Sequence, residues 1–559
     1  LKAGPTLALT PPMGWNSYDS FIAAVKESDV VAAAKAMKTY LQPYGWNYVV
    51  IDYLWYDPEK TVDANGRWLP SSSKYPSATG DTGFKSMAEQ VHAQGLNFGI
   101  HLMRGVPRLS VDSKKSPIAD STFTAPQAAN TNDKCAWDDH MYGVKGDSDA
   151  GKAWYDSIYK QYAGWDVDFV KVDDMMNPYG GNVTHAAEIE AVHNSIIKTG
   201  RSIVLSLSPG PFQTKDVAVL NANANMWRQV NDFWDNSGSL SSMANEFDAA
   251  LAWSTTNGIT QGHWPDADML PLGTIGNRAC QFSKNVQVQV MTLWSIMPSP
   301  LMFGGMPIKL NNDAWTVALL TNDEVLAVNQ DALGARGKRV AQQGKSEVWA
   351  KDMSGGRKAV ALCTRDTQDA TVSATFAQLG VSGSVTVRDL WNKKDVTGIT
   401  DKISVNVPHE RALLYLISPP GGTVPDVDGG AAGAGGGGSS GRIDGGAAGA
   451  SGASGSTAVG GNTSSGGRAG TTAVGGSTSR GGSSALGGGS SAVTSGGAGT
   501  PAGGSSSSSR SGAAGSSSSS AGKGGSVGSS SSPVAGTSAT GSSKGGNSSA
   551  SGDTAAGGD

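Results

Sequence analysis

Along residues 1–335, short apolar runs alternate with stretches whose apolar residues recur at helical spacing. The runs are MGWNSY (13–18), YVVIDYLWY (48–56), LNFGIHLMRG (96–105), VDFVKVDD (167–174), SIVLSLSPG (202–210), NMWRQVND (225–232), HWPDADML (263–270) and SPLMFGGM (299–306). Each is short enough to be a strand buried on both faces. Between them lie amphipathic segments such as SDVVAAAKAMKTYL (28–41) and DTGFKSMAEQVHAQG (81–95), the latter with Gly95 as its C-cap. Eight strand-then-helix units in this length predict a (β/α)8 barrel. A doubly wound sheet would carry G-x-G-x-x-G after its first strand, and none stands there.

Residues 336–419 follow a different rhythm. SEVWAKDM, KAVALCT, DATVSATF, GSVTVRDLW and ISVNVPHERALLYLI are short, β-branched and separated by turn residues. They predict an antiparallel β-sandwich with few candidate catalytic groups and a packing or accessory sugar-binding role. From residue 420 to 559 the sequence collapses to Gly, Ser, Ala and Thr. Such a chain buries too little apolar surface to offset its ordering entropy, so a disordered tail is expected. It would serve as a spacer for cell-surface attachment or simply as an inert extension.

The net charge is −4 over 559 residues, with no basic stripe, so nucleic acid is not an expected partner. No run approaches the ~18 apolar residues of a membrane span. The chain opens at Leu1 without a signal peptide, which reads as a mature or trimmed sequence, secreted or held at the cell surface. The three cysteines, Cys135, Cys280 and Cys363, show no metal or redox spacing and read as buried small hydrophobes. His101, His140 and His263 also lack ligand spacing, and no metal is expected.

Candidate chemistry gathers at the C-terminal ends of the runs, where a barrel builds its site. Asp52, Asp173 with Asp174, Asp232, and Asp266 with Asp268 close four separate runs. Alternation along a strand puts Lys171 on the face of Asp173, Arg228 on that of Asp232, and Asp266 on that of Asp268. A cation beside Asp173 favours its ionised, nucleophilic form. Two carboxylates across a cleft are the machinery of glycoside hydrolysis, retaining at ~5–5.5 Å and inverting at ~6.5–9.5 Å. Trp15, Tyr18, Tyr53, Trp55, Trp227 and Trp264 stand near the same ends; singly each reads as core, together they suit stacking on sugar rings. DDMMN (173–177) has the look of an acidic metal-binding motif of all-helical cyclases, but it follows a strand-like run.

At these residues the chain resembles glycoside hydrolase family 27, the α-galactosidase and α-N-acetylgalactosaminidase family. LTPPMGWNSYDSF is similar to that family's first strand, YVVIDYLWY to its second, VDFVKVDD to its nucleophile strand and MWRQVND to its acid/base strand. WPDADML and VLAVNQDALGARG have counterparts there as well, and the resemblance covers residues 8–418. It implies double displacement without a cofactor, with Asp173 as nucleophile and Asp232 as general acid/base. It implies Asp52, Lys171, Arg228 and Asp268 as sugar contacts, and Trp15, Tyr18, Tyr53, His101 and Ser208 near the same strand ends are candidate contacts beside them.

Several positions depart from the family pattern. Tyr53 stands where a second acid usually follows Asp52, Ser208 where a bulkier acid is typical, and Met175 near a usual cysteine. HLMRGVPR brings Arg104 and Arg108 to the cleft, where pairing with barrel carboxylates is expected. The departures leave the hydrolytic pair intact and bear on the sugar. Terminal α-galactose is the expected glycone, with an isomaltodextranase-like or β-L-arabinopyranosidase activity as the alternative. A non-catalytic carbohydrate-binding surface protein would keep the aromatics and lose the acids.

Overall fold

The structure, a computed structural model, describes residues 7–178 and 181–419. The expected tail from residue 420 lies outside them. All eight apolar runs contain a strand: β1 (Met13–Asn16), β2 (Tyr48–Ile51), β3 (Asn97–Met103), β4 (Phe169–Asp173), β5 (Val204–Leu207), β6 (Met226–Arg228), β7 (Trp264–Asp266) and β8 (Leu301–Phe303). They form one parallel sheet in the order β7-β6-β5-β4-β3-β2-β1-β8. A parallel bridge between Leu270 and Phe303, with Leu270 N–H donating to Met302 at 2.7 Å, brings the two edges together and closes a barrel.

The helices between the strands are α1 (Glu27–Tyr40), α2 (Lys85–His92), α3 (Asp149–Gly164), α4 (Ala186–Thr199), α5 (Val217–Asn223), α6 (Met243–Ser254) and α7 (Lys284–Ile296), followed by α8 (Ala314–Leu320) and α9 (Asp323–Asn329). In α1 the buried residues are Val30, Ala33, Ala34 and Met37, one stripe at i, i+3, i+4, i+7 against the sheet. Helix α2 stops at His92, so Gly95 closes the turn beyond the helix rather than capping it (φ +76°).

Inside the barrel, Val50, Phe169, Val204, Met226, Trp264 and Met302 come from six different strands and pack into one apolar layer. This layer is the floor of whatever lies above it. Gly14 is required beside it, because a Cβ there would sit 2.5 Å from the Tyr48 carbonyl on the neighbouring strand.

Strands β9 (Lys338–Gln343), β10 (Ser346–Asp352), β11 (Lys358–Thr364), β12 (Ala370–Thr375), β13 (Thr386–Asp389), β14 (Lys394–Val396), β15 (Lys402–Val407) and β16 (Ala412–Ser418) form the second unit of sheet structure. A six-stranded antiparallel sheet, β9-β10-β11-β16-β13-β14, faces the pair β12-β15. The larger sheet is buried on both sides. Val348, Val360, Leu362 and Ile417 face the sandwich core, while Trp349, Ala361, Leu414 and Leu416 join the barrel core. This two-sided burial is why KAVALC and ALLYLI read as unbroken apolar runs instead of alternating ones.

Candidate active site

Above the apolar floor, at the C-terminal ends of the strands, lies a cavity of about 220 Å³. It is small beside the roughly 300–1,000 Å³ of sites for drug-sized ligands. Its lining includes Tyr18, Asp19, Asp52, Tyr53, Lys171, Asp173, Ser208, Arg228, Asp232 and Asp268. Thus nine of the residues that the sequence singled out for substrate contact or catalysis share one space with Asp19, which it did not single out.

Asp173 ends β4. Its Oδ2 accepts a hydrogen bond from His101 Nε2 at 3.1 Å, and its buried Oδ1 has no hydrogen-bond partner among the described residues. Burial pushes the carboxyl upward, but the Lys171 ammonium and His101 outweigh it and hold Asp173 well below the usual carboxylate range. Lys171, on the same face of β4, directs its Nζ to Asp52 Oδ2 at 3.0 Å. Asp52 follows β2 and also accepts from Asn16 Nδ2 at 2.7 Å and from its neighbour's main chain, Tyr53 N–H, at 2.8 Å. Lys171 holds Asp52 ionised against burial. The result is a rigid floor of one cation between two carboxylates.

Asp232 stands four residues past the end of β6 and meets Arg228 at 3.1 Å. Arg228 also pairs with Asp268 at 2.8 Å, and Asp268 Oδ2 accepts from Phe233 N–H at 2.8 Å. Asp268 lies beyond β7 in left-handed backbone (φ +80°), so a turn rather than strand alternation delivers it. Asp266 Oδ1 accepts from Asp268 N–H at 2.9 Å. Burial, reinforced by the Asp268 charge, lifts Asp266 to about 7 against the pull of Arg228. The Asp173 side chain is 13% exposed and that of Asp232 is 47% exposed. One carboxylate is deep and held ionised; the other stands toward solvent.

Two proposed sugar contacts do not reach the cavity. Trp15 is fully buried on the outer face of β1, and its indole N–H donates to the Gly305 carbonyl at 2.9 Å. His101 is also fully buried; it touches Asp173, not the open space, and so acts on the nucleophile's position. Of the other aromatics that the sequence placed near the strand ends, Trp55, Trp227 and Trp264 are core residues, while Tyr18 and Tyr53 line the cavity. His140 and His263 are bound elsewhere, to Asp138 and to the Ala224 carbonyl. Cys135 and Cys363 are buried as expected, whereas Cys280 is partly exposed.

Arg104 pairs with carboxylates, as expected. Its guanidinium meets Asp174 at 2.8 Å, Asp133 at 2.8 Å and Glu188 at 2.6 Å. Arg108 does not; its Nε donates to the Met141 carbonyl and its guanidinium lies over the Tyr142 ring. The sequence reading missed Asp19, which fits only because residue 304 is glycine: a Cβ there would sit 1.9 Å from Asp19 Oδ2. It also missed Trp137, Trp234 and Leu240, which line the outer part of the cavity from the loops after β3 and β6. Asp138 was missed too, and it accepts from the Tyr53 hydroxyl at 2.6 Å.

Family models for α-galactosidase A and for the α-galactosidase C-terminal β-sandwich domain match residues 142–331 and 343–417. An α-galactosidase of Oryza sativa subsp. japonica is 30% identical over 416 residues, covering 74% of this chain and 86% of its own. An α-galactosidase of Coffea arabica is 30% identical over 417 residues, covering 74% and 95%. The crystal structure of a family 27 β-L-arabinopyranosidase from Geobacillus stearothermophilus superposes with a TM-score of 0.69 at 40% identity, covering 75% of this chain and 98% of that one. With its barrel, its sandwich and these relatives, the chain belongs to glycoside hydrolase family 27, the α-galactosidase family.

Proposed function

We propose that the chain is an exo-acting, retaining α-galactosidase in which Asp173 is the nucleophile and Asp232 the general acid/base. The observation that carries this reading is the contrast between the two carboxylates on one cavity. Asp173 is deep, held ionised by Lys171, oriented by His101, and leaves Oδ1 free to attack. Asp232 stands nearer solvent, where a leaving group and then a water must pass. In the first step Asp173 Oδ1 attacks the anomeric carbon while Asp232 gives its proton to the departing oxygen. In the second, Asp232 takes a proton from water, which displaces Asp173. Tyr18, Asp52, Tyr53, Lys171, Ser208, Arg228 and Asp268 bind the terminal sugar, and the small cavity limits the site to one ring. The reaction draws on no cofactor.

One observation favours a second glycone. Tyr53 brings an aromatic ring to the position that the family usually fills with a carboxylate for a sugar hydroxyl, and its own hydroxyl is taken by Asp138. A ring there suits β-L-arabinopyranose, which is α-D-galactopyranose without its exocyclic hydroxymethyl. Hydrolysis of matched aryl α-galactoside, β-L-arabinopyranoside, α-glucoside and α-N-acetylgalactosaminide decides between them, with the anomer first released read by NMR. Inversion, or activity surviving in Asp173→Asn, would remove the proposed mechanism.

The cellular setting is part of the proposal: secretion, or display at a cell surface with the Gly/Ser-rich segment as a spacer. Recovery of the chain from cytosol alone would overturn it.

A further inference from the structure

Strand β8 sends Met302 into the barrel floor, and alternation puts residue 304 on the same inward face, one step above that floor. The pairing that sets this alternation continues past the strand, since Gly304 N–H donates to the Leu270 carbonyl at 2.9 Å. Because residue 304 is glycine, β8 offers no side chain of its own to the mouth of the barrel. Asp19 fills the place from the turn after β1: its Oδ2 stands 1.9 Å from where a Cβ at 304 would be. A carboxyl from one strand's loop thus takes the inward position of the neighbouring strand.

The arrangement is fixed. Asp19 lies in the helical turn Tyr18–Phe21. Ser20 Oγ donates to the Gly304 carbonyl at 2.6 Å and Tyr18 N–H donates to Asn16 Oδ1 at 2.9 Å, so the turn is pinned on both sides of Asp19. Asp19 is only 6% exposed, yet it lines the cavity, and its Oδ2 has no hydrogen-bond partner among the described residues. A buried polar atom without a partner is costly, and a ligand that supplies the partner accounts for it. Burial pushes the Asp19 carboxyl upward, the Asp268 charge adds to this, and Lys171 only partly opposes it, which favours the neutral acid. A neutral carboxyl both donates and accepts, whereas the ionised Asp52 and Asp173 only accept.

Strand β4, which ends in Asp173, and strand β8, whose inward place Asp19 takes, lie four strands apart round the closed barrel in either direction. Asp19 and the nucleophile therefore face each other across the mouth. A pyranose with its anomeric carbon at Asp173 turns its C3–C4 edge to the far side. We propose that Asp19 is a specificity-determining sugar contact that binds the neighbouring 3- and 4-hydroxyls of the terminal ring. The inference rests on the proposed role of Asp173. Both α-D-galactopyranose and β-L-arabinopyranose carry an equatorial 3-hydroxyl beside an axial 4-hydroxyl, whereas glucose has its 4-hydroxyl equatorial. Asp19 reads the feature that the two glycones share, and their difference, the hydroxymethyl group at C5, falls to other residues.

The test takes whichever dinitrophenyl glycoside the wild type cleaves faster, α-galactoside or β-L-arabinopyranoside, together with its 3-deoxy and 4-deoxy analogues. In Asp19→Ala, kcat/KM for the full sugar should fall about tenfold, the effect of one hydrogen bond. On at least one deoxy analogue the loss should shrink to less than about twofold, because a contact to a missing hydroxyl cannot be lost again. Gly304→Ala drives Asp19 Oδ2 from its place without changing the acid itself and should show the same pattern. Asp19→Asn keeps a donor and an acceptor and should recover most of the activity. A loss that is equal on all three substrates, or no loss, in both Asp19→Ala and Gly304→Ala would overturn the contact and leave the glycosidase reading standing. Wild-type protein inert toward both full sugars would overturn the glycosidase reading and the contact with it.

Discussion

The main-chain N–H of Arg104 donates to the carbonyl oxygen of Asp173 at 2.9 Å, and Arg104 Nε donates to the carbonyl of Asp174 at 2.8 Å. One residue thereby grips the backbone on both sides of the Asp174 α-carbon, directly after the proposed nucleophile. Asp174 itself holds left-handed backbone (φ +64°), a conformation that needs such support. The guanidinium then ties this turn to Asp133 and to Glu188 on α4, and Glu188 accepts from the Tyr155 hydroxyl of α3 at 2.5 Å.

Arg104→Lys keeps the charge but loses the fork, so Asp173 should be less well aimed. We expect kcat to fall by about 10–100-fold, the usual effect of a displacement near 1 Å, with KM little changed. Arg104→Met leaves buried carboxylates uncompensated and should cost about 3–5 kcal/mol of stability. Aryl glycoside kinetics together with urea unfolding check both; a kcat held at the wild-type value in Arg104→Lys refutes the positioning role.

His101→Phe removes the donor to Asp173 while filling similar space. Burial then acts on Asp173 with less opposition, and its carboxyl moves up from its depressed value. Hydrolysis needs Asp173 ionised, so the acid limb of the kcat/KM profile should shift to higher pH. On the alkaline side kcat should drop by roughly 10–100-fold, as for a lost hydrogen bond to a charged group of ~1.5–3 kcal/mol. A profile that falls in height without moving along the pH axis would show His101 to be packing alone.

The strand periodicity made the barrel legible because every barrel strand lies within a short, mostly apolar run. It also paired Lys171 with Asp173 on one face. The same alternation, carried further, identifies Trp15 as core. Asn16 faces the site, where it binds Asp52, so its neighbour Trp15 must face the helices. Trp227 beside the inward Arg228 follows the same parity. Trp264 shares parity with Asp266 yet is buried, because it lies one layer lower, in the barrel floor. No such regularity reveals Arg104 with Asp133, Asp174 and Glu188, whose pairings span 29, 70 and 84 positions. Trp137, Trp234 and Leu240 lie in loops, where no period exists to read.

Asp266 gives a stability test with a defined window. Its carboxyl is raised from 3.8 to about 7 in the folded chain. A raised carboxyl contributes stability that is complete below 3.8 and is lost as pH rises through about 7. Asp266→Asn preserves the shape and removes the titration. The wild type should therefore lose more stability than Asp266→Asn between pH 5 and pH 8 (about a 3-unit span bracketing the transition). Tm measured by calorimetry at both pH values checks this, and parallel losses would show that Asp266 does not titrate there.

Lys351 on β10 lies buried where the sandwich meets the barrel, and its Nζ donates to the Val328 carbonyl in the last turn of α9. An uncapped carbonyl at that helix end explains why a lysine is kept in an apolar setting. Burial, only partly offset by Asp331, lowers its pKa from 10.5 to about 7. Above 10.5 folded and unfolded chains are both neutral here and nothing is lost. As pH falls from there toward 7, the unfolded chain binds a proton that the folded one resists, so stability declines, and below 7 the decline is complete. Lys351→Met abolishes this term at the cost of leaving the Val328 carbonyl without its donor, about 1–3 kcal/mol at any pH. The absolute change can thus take either sign, but its pH dependence cannot. The variant should gain on the wild type steadily as pH is lowered from about 10 to 7, the direction set by a depressed ammonium. Urea midpoints of the two proteins at matched pH supply the measurement, and a constant difference would mean that Lys351 keeps its proton throughout.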